Sequence, residues 1–578
     1  MRFSLAHILE WATETSTRGA LIDHVHDRAP VGQRSLAGPQ PFSTVTMSSR
    51  ADGWPPMLPG GLFVAVRGAV RDGHIFVADA FGNGAIAALV DHIPTHLEND
   101  VAAGTVQVIR LAHDQPDAQS LRGRVVGAPV GAYGQGGMGA DRLASHPKTL
   151  VLVDPTVGTM ATLQQLGGWW RRRWGRPVVA IAGSVGKTTT KDLVAAILSR
   201  QYRTLGTAGN LNNELGLPIT LLGLHGDHDI AAVEIGISAR GEMEAFAAIA
   251  APDVAIVTRI EAEHLEFLRD IETVAHEEGT IIAALTASGT AVLNADDPRV
   301  LAMAHRTTAR VVTYGTVARD DLRTHTFSTD VRLLGVDGVE FRLWHDGHSE
   351  LVQLPLAGRH FVSNALAAAA AGFAVGCSWT TVLSGLQDKP TAPRVRVIRP
   401  SPGMLVIDDS YNASPASCFA ALDLLADSPG TRVAVLGDML ELGDFATEAH
   451  ATVGAYVPSR ADVLIAVGDA SRVIADSATA GGMPSPHVFW VPRAADAFDA
   501  FETWQRATRA VGRFTVLVKG SRGMRMELAS QNFAATDVSG HQTDDQSIET
   551  ATSGNQFNDQ VGDPPVRSRR AVPESGNQ

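Results

Sequence analysis

Cysteine is nearly absent: Cys377 and Cys418 are the only two in 578 residues, which excludes a disulfide framework and a four-cysteine zinc site. That usage fits a reducing cytoplasm. Positive charge is in deficit, with 48 Lys and Arg against 61 Asp and Glu for a net −13, so a broad basic face for nucleic acid is not expected. Long apolar runs are missing as well, none approaching the roughly 18 residues that a membrane span needs. The opening MRFSLAHILEWATETS places Glu10 and Glu14 soon after its short apolar stretch, so no export signal is expected either. What remains, 45% hydrophobic and 19% charged residues, is ordinary globular composition. The length implies roughly three to five domains instead of one core.

The text from Ser43 to Val90 alternates short apolar strands with one helical stretch, FVADAFGNGAIAALV, and predicts a small α/β unit. Residues 92–147 are Gly-rich and weakly periodic, and predict an elaborated loop that could still contain strands of that unit. At LGGWWRRRWGRP the composition turns aromatic and basic, and a second α/β unit follows in which apolar strands (VVAIA, AAVEIG, DVAIVT, TAVLNA) alternate with helical patterns. A third begins near Thr391, with strands expected at GMLVIDDS, TRVAVLGD, DVLIAVG and RFTVLVKG. In residues 531–578 only seven of 48 are Leu, Ile, Val or Phe, too few to offset the entropy of ordering, so a disordered tail is expected there. The expected layout is therefore α/β throughout: an N-terminal domain over 1–165, a central parallel-sheet domain over 166–390 and a Rossmann-like domain over 391–530.

The segment Gly183-Ser184-Val185-Gly186-Lys187-Thr188-Thr189 lies between an apolar strand and a helical pattern. In that setting glycines let backbone N–H groups reach phosphate oxygens, the helix N-terminus favours the anion, Lys187 neutralises the outer phosphates and Thr188 offers a hydroxyl to Mg²⁺. Ile181 stands where the longer form of this loop has its first glycine, so the match is to the shortened GxxGKTT. ATP with Mg²⁺ is the expected cofactor set. A phosphate loop alone does not choose among kinases, hydrolases and ligases.

Further motifs narrow the choice. Gly209-Asn210-Leu211-Asn212-Asn213-Glu214-Leu215-Gly216, Glu234 at the end of AAVEIG, His264-Leu265-Glu266, Asn294-Ala295-Asp296-Asp297-Pro298, Gly358-Arg359-His360 with Asn364, Asp408-Asp409-Ser410-Tyr411-Asn412-Ala413-Ser414-Pro415, Gly437-Asp438-Met439 with Glu441, and Lys519-Gly520-Ser521-Arg522 follow in order. With the GKTT loop they resemble the Mur ligase family, from about residue 43 to 530. Near the start, Ser49-Arg50 and Asp72-Gly73-His74 look like its UDP-binding domain. The resemblance implies a cytoplasmic, monomeric ATP-dependent amide ligase that adds D-alanyl-D-alanine to a UDP-N-acetylmuramoyl-tripeptide through an acyl phosphate. Its partners would be those two small molecules, with no nucleic acid and no membrane. A ligase of the same chemistry on another acceptor and amine, or a non-catalytic nucleotide-binding subunit, are the alternatives.

The resemblance also assigns roles. Lys187, Glu234 and His264 would be catalytic; Thr188, Glu234, His264 and Glu278 would hold metal. Gly183, Ser184, Gly186, Lys187, Thr188 and Thr189 would hold the phosphates, while Asn294, Asp297, His360, Asn364, Arg394 and Asp409 would contact the rest of the nucleotide. Ser49, Arg50, Asn213, Tyr411, Asn412, Ser414, Lys519 and Arg522 would meet the substrates. Plain readings stand beside these: Asn294-Ala-Asp-Asp-Pro and NLNN are good cap and turn chemistry on their own. The chain departs from the family at Ser48, Phe361 and Ser414, where family members carry an aspartate and two asparagines. It departs again at Glu278, where many carry a lysine that acts as a carbamate. A glutamate offers hard oxygens without CO₂ chemistry.

Overall fold

Strands covered on both faces have no polar side to present, and the runs read above as continuous apolar blocks form the middles of three sheets. The computed structural model describes residues 2–15, 42–47, 56–68, 71–103, 105–111, 148–316, 325–388 and 395–535. These divide into two units, one running up to Trp169 and one beginning at Trp170.

The first unit holds a five-stranded parallel sheet in the order Val45–Thr46, Leu62–Val64, Ala87–Val90, Lys148–Leu152, Val106–Arg110. The stretch expected as a loop from residue 92 thus contributes the helix Glu98–Ala102 and an edge strand before it leaves the described residues at 112. VQVIR is short and alternating, and it pairs because Lys148–Leu152 offers it a free edge. Asp72-Gly73-His74 forms a tight turn here. Asp72 accepts from the His74 N–H at 3.0 Å, and the buried His74 ring accepts the Asp91 N–H at 3.1 Å. The expected boundary at 165 falls inside the helix Gly158–Trp174. The WWRRRW run stays helical because Trp170 and Arg171 bury themselves, Arg171 donating to the Ala250 and Ala251 carbonyls.

In the second unit a nine-stranded sheet runs Thr204–Gly206, Ile230–Glu234, Val178–Ala182, Val254–Val257, Thr290–Asn294, Arg310–Gly315, Thr326–Leu333, Val339–His345, His348–Leu354, with the last two pairings antiparallel. That antiparallel end is absent from the sequence reading, although Asp346-Gly347 at its tip, φ 46° and 83°, is the two-residue hairpin signal. Behind the phosphate loop the helices Lys187–Ser199, Phe361–Ala374 and Trp379–Leu386 pack closely, since a Cβ on Gly385 would lie 2.4 Å from the Ile197 Cα. The second sheet of this unit runs Arg396–Ser401, Met404–Asp409, Phe514–Lys519, Thr431–Gly437, Val463–Val467, Val488–Val491, parallel except for its first pair. All four strands expected in this region are present. The helix Glu527–Ala535 buries Phe533, so ordered chain continues beyond residue 531, where the tail was expected to start. Its later part, 536–578, the Gly-rich 112–147, Ser48, Ser49, Arg50 and Arg394 lie outside the described residues.

Candidate functional site

The phosphate loop leaves the strand Val178–Ala182 and enters the helix Lys187–Ser199. Two glycines are required by its shape. Gly183 has φ 110° and a Cβ there would lie 2.4 Å from the Thr258 hydroxyl; Gly186 has φ 92° and a Cβ would lie 2.3 Å from Asn364 Nδ2. Asn364 donates to the Gly186 carbonyl at 3.1 Å and to Thr190 at 2.9 Å, so it braces the loop from the neighbouring helix. Ser184 is pinned from the other side, its N–H to the Arg259 carbonyl and its hydroxyl to that of Glu261. Thr189 occupies the first helical turn, half-buried.

Three carboxylates surround Lys187. Glu234 ends the strand Ile230–Glu234 and is 1% exposed; its Oε1 accepts from the Thr188 hydroxyl and from Asn212 Nδ2, both at 2.8 Å, while Oε2 has no partner. Glu278 closes the helix Ile271–Glu278 with no exposed surface, its Oε2 accepting the Gly183 N–H at 2.8 Å and its Oε1 left without a partner. Burial pushes the Glu278 carboxyl up to about 7, with Lys187 pulling the other way. Glu263 accepts from Lys187 Nζ at 3.2 Å. Burial disfavours the Lys187 charge, but the fields of Glu263, Glu278 and Glu234 outweigh it and hold the ammonium above its usual value.

His264 sits one residue further on, at φ 52°, and its Nδ1 pairs at 2.9 Å with Glu441, itself at φ 62°. That bond raises the His264 pKa and lowers that of Glu441. Glu441 thus holds the ring through Nδ1, the kind of carboxylate support that orients a histidine whose other nitrogen meets a metal.

The remaining expected residues are placed unevenly. Asn294 donates to the Thr258 carbonyl at 2.8 Å, and Asp297 caps the helix Pro298–Ala302 while taking the Ile260 N–H at 2.8 Å. Both tie down the segment after the strand Val254–Val257, on the wall of a cleft that Arg259, Glu261, Asp296 and Arg299 also line. His360 is exposed, its ring 4.0 Å from that of Phe361. Phe361 is itself core, which accounts for an apolar residue at that position. Asn213 acts as a turn residue, accepting from the Gly216 N–H at 2.9 Å. Ser414 is the N-cap of the helix Pro415–Ala426, in a reciprocal cap with Ser417. Arg522 stands over the Tyr411 ring at 5.9 Å.

Lys519 departs most from expectation. Its side chain is 2% exposed and its Nζ donates to Asp409 at 2.7 Å and to the Asn412 carbonyl at 2.9 Å, so it is committed to the chain and not presented to a substrate carboxylate. Removing the partner of a buried charge costs about 3–5 kcal/mol. Asp409→Ala should thus lower Tm by several degrees in calorimetry, and an unchanged Tm would show that Lys519 does not depend on the pair.

Thr207, Asn212, Glu263 and Glu441 position or neutralise the central groups, a role that the sequence motifs do not assign to them. Thr207 accepts the Glu234 N–H at 3.0 Å. Asn212 and Glu441 stand within the family motifs, which is their signal in the sequence; Glu263 carries none beyond its place beside His264.

Comparison with known proteins follows the same division. Residues 181–372 match the Mur ligase middle domain, and 393–522 match the Mur ligase, glutamate ligase domain. The chain is 36% identical over 397 residues to the UDP-N-acetylmuramoyl-tripeptide--D-alanyl-D-alanine ligase of Escherichia coli K12, covering 68% of this chain and 84% of that protein. It is 31% identical over 471 residues to the Bacillus subtilis 168 ligase of the same name, covering 81% and 88%. The crystal structure of MurF from Acinetobacter baumannii superposes with a TM-score of 0.69 at 26% identity, covering 93% of this chain and 99% of that one. The Thermotoga maritima MurF ligase in complex with ADP shares the fold at 23% identity, TM-score 0.63, covering 85% and 97%.

Proposed function

The chain belongs to the Mur ligase family, and we propose that it joins D-alanyl-D-alanine to the carboxylate of a UDP-N-acetylmuramoyl-tripeptide, converting ATP to ADP and phosphate. The observation that carries this reading is the grouping of Lys187, Glu234 and Glu278 around a phosphate loop at the carboxyl ends of parallel strands, the crevice where α/β folds bind ligands. A carboxylate is a poor electrophile, so one of its oxygens first takes the terminal phosphoryl group and ADP leaves. The amine nitrogen then attacks the acyl carbon, phosphate departs with that oxygen, and the amine loses a proton. Lys187 and the loop N–H groups are suited to hold the phosphoryl group as charge moves onto it.

The residues fit a hard divalent cation. Glu234 Oε2 and Glu278 Oε1 are buried carboxylate oxygens with no partner, and the Thr188 hydroxyl stands beside Glu234. Mg²⁺ held by Thr188, Glu234 and Glu278 would supply charge neutralisation on the phosphate oxygens. Glu278 needs no carbamate for this. Depleting CO₂ and bicarbonate from the assay should leave the rate unchanged, and a rate restored by added bicarbonate would contradict that role for Glu278.

On the sequence resemblance, the nucleotide's adenine would lie near Asn294, Asp297, His360 and Asn364, with Arg394 and Asp409 approaching it. Ser49 and Arg50 would meet the UDP group, and Asn213, Tyr411, Asn412, Ser414 and Arg522 the peptide and amine. Asn364 and Asp297 would act through the loop segments they brace. Phosphate release measured with ATP, the tripeptide acceptor and D-Ala-D-Ala tests the assignment. Release that requires both supports it; release with other amines, or none, overturns it.

A further inference from the structure

Of the three carboxylates around Lys187, two are built into the fold and one is not. Glu234 and Glu278 are buried and held by hydrogen bonds from Thr188, Asn212 and the Gly183 N–H. Glu263 stands on the segment between the strand Val254–Val257 and the helix Leu265–Leu268, with its side chain 22% exposed, against Lys187 at 13%. Its carboxylate lies 3.2 Å from Lys187 Nζ, whose other contact is the Ser184 carbonyl at 3.0 Å. A carboxylate there holds the cation that a terminal phosphate must use, and it adds like charge to a site already containing Glu234 and Glu278.

We propose that Glu263 is a tethered competing anion: it occupies Lys187, gives it up to the terminal phosphate of the nucleotide, and so weakens nucleotide binding. The inference rests on the ligase reading only in that a nucleotide binds at this loop. The surroundings favour a change of side-chain rotamer over movement of the loop. Ser184 fastens the segment at Arg259 and Glu261, and His264, the next residue, is anchored to Glu441. Releasing Lys187 therefore asks only that the Glu263 side chain turn toward solvent.

The discriminating experiment is calorimetric titration of the full chain and its Glu263→Gln and Glu263→Asp variants. The probes are ADP and a non-hydrolysable ATP analogue, each in EDTA and in Mg²⁺, with adenosine as the control that lacks phosphate. Glu263→Gln should bind both nucleotides about tenfold more tightly in EDTA, as expected for removing one like charge beside the anion. Glu263→Asp should fall between, and adenosine should not respond. A residue that only supports the fold would weaken binding or leave it alone when changed, so tightening is the distinguishing sign. Unchanged or weaker binding by Glu263→Gln overturns the proposal, and weakening confined to Mg²⁺ assigns Glu263 to the cation instead. Wild-type protein that binds no nucleotide overturns the ligase reading and this inference with it, whereas wild-type binding without a gain in Glu263→Gln overturns this inference alone.

Discussion

Lys187→Ala should reduce turnover by roughly 10²- to 10³-fold, the loss found when a preorganised charge-stabilising donor is removed from a closed site. Two effects combine here. The transferring phosphoryl group loses its cation, and Glu263, Glu278 and Glu234 lose the charge that offsets their mutual repulsion. Burial pushes the Glu278 carboxyl up to about 7 even with the ammonium pulling the other way, so without it the proton would be held more strongly. Steady-state phosphate release, read beside Tm to confirm folding, measures the loss. Activity within a factor of two of wild type would remove Lys187 from the mechanism.

Glu234→Gln should cost about 10²-fold in turnover while leaving the fold in place. Glutamine keeps an Oε1 able to accept from Thr188 and Asn212, so both bonds that organise the loop survive. Only the charge is removed, and the amide nitrogen takes the buried, unpartnered position of Oε2 at a stability cost of about 1–3 kcal/mol. The Mg²⁺ concentration for half-maximal rate should rise. A variant with near wild-type turnover and an unchanged Mg²⁺ requirement would show Glu234 to be a brace for Thr188 and nothing more.

The phosphate loop and Glu234 were legible in the sequence because their chemistry is local: glycines, lysine and threonine between a strand and a helix, and an acid at a strand end. The central and C-terminal strands were legible for a similar reason, since strands buried on both faces appear as continuous apolar runs. Pairings across the fold were not. Lys519 and Asp409 are 110 residues apart in sequence, and nothing near either announces that the cation is buried against the carboxylate. Nor does anything near His264 announce that the fold brings Glu441 to its Nδ1. Ser414 and Asp297 followed their local chemistry and became helix caps, the plainer of the readings open to Asp297. The hairpin at Asp346-Gly347 carries its own turn signal, but its flanking strands mix polar and apolar residues on a half-covered sheet end and so lack a continuous apolar run.

The central claim is that an oxygen of the acceptor carboxylate is phosphorylated in the cleft around Lys187 and Glu234. It is tested most directly by running the complete reaction with ¹⁸O in that carboxylate and analysing the released phosphate by mass spectrometry. Transfer through an acyl phosphate puts one labelled oxygen into each phosphate. Unlabelled phosphate, formed at the same rate as the new amide, would contradict it.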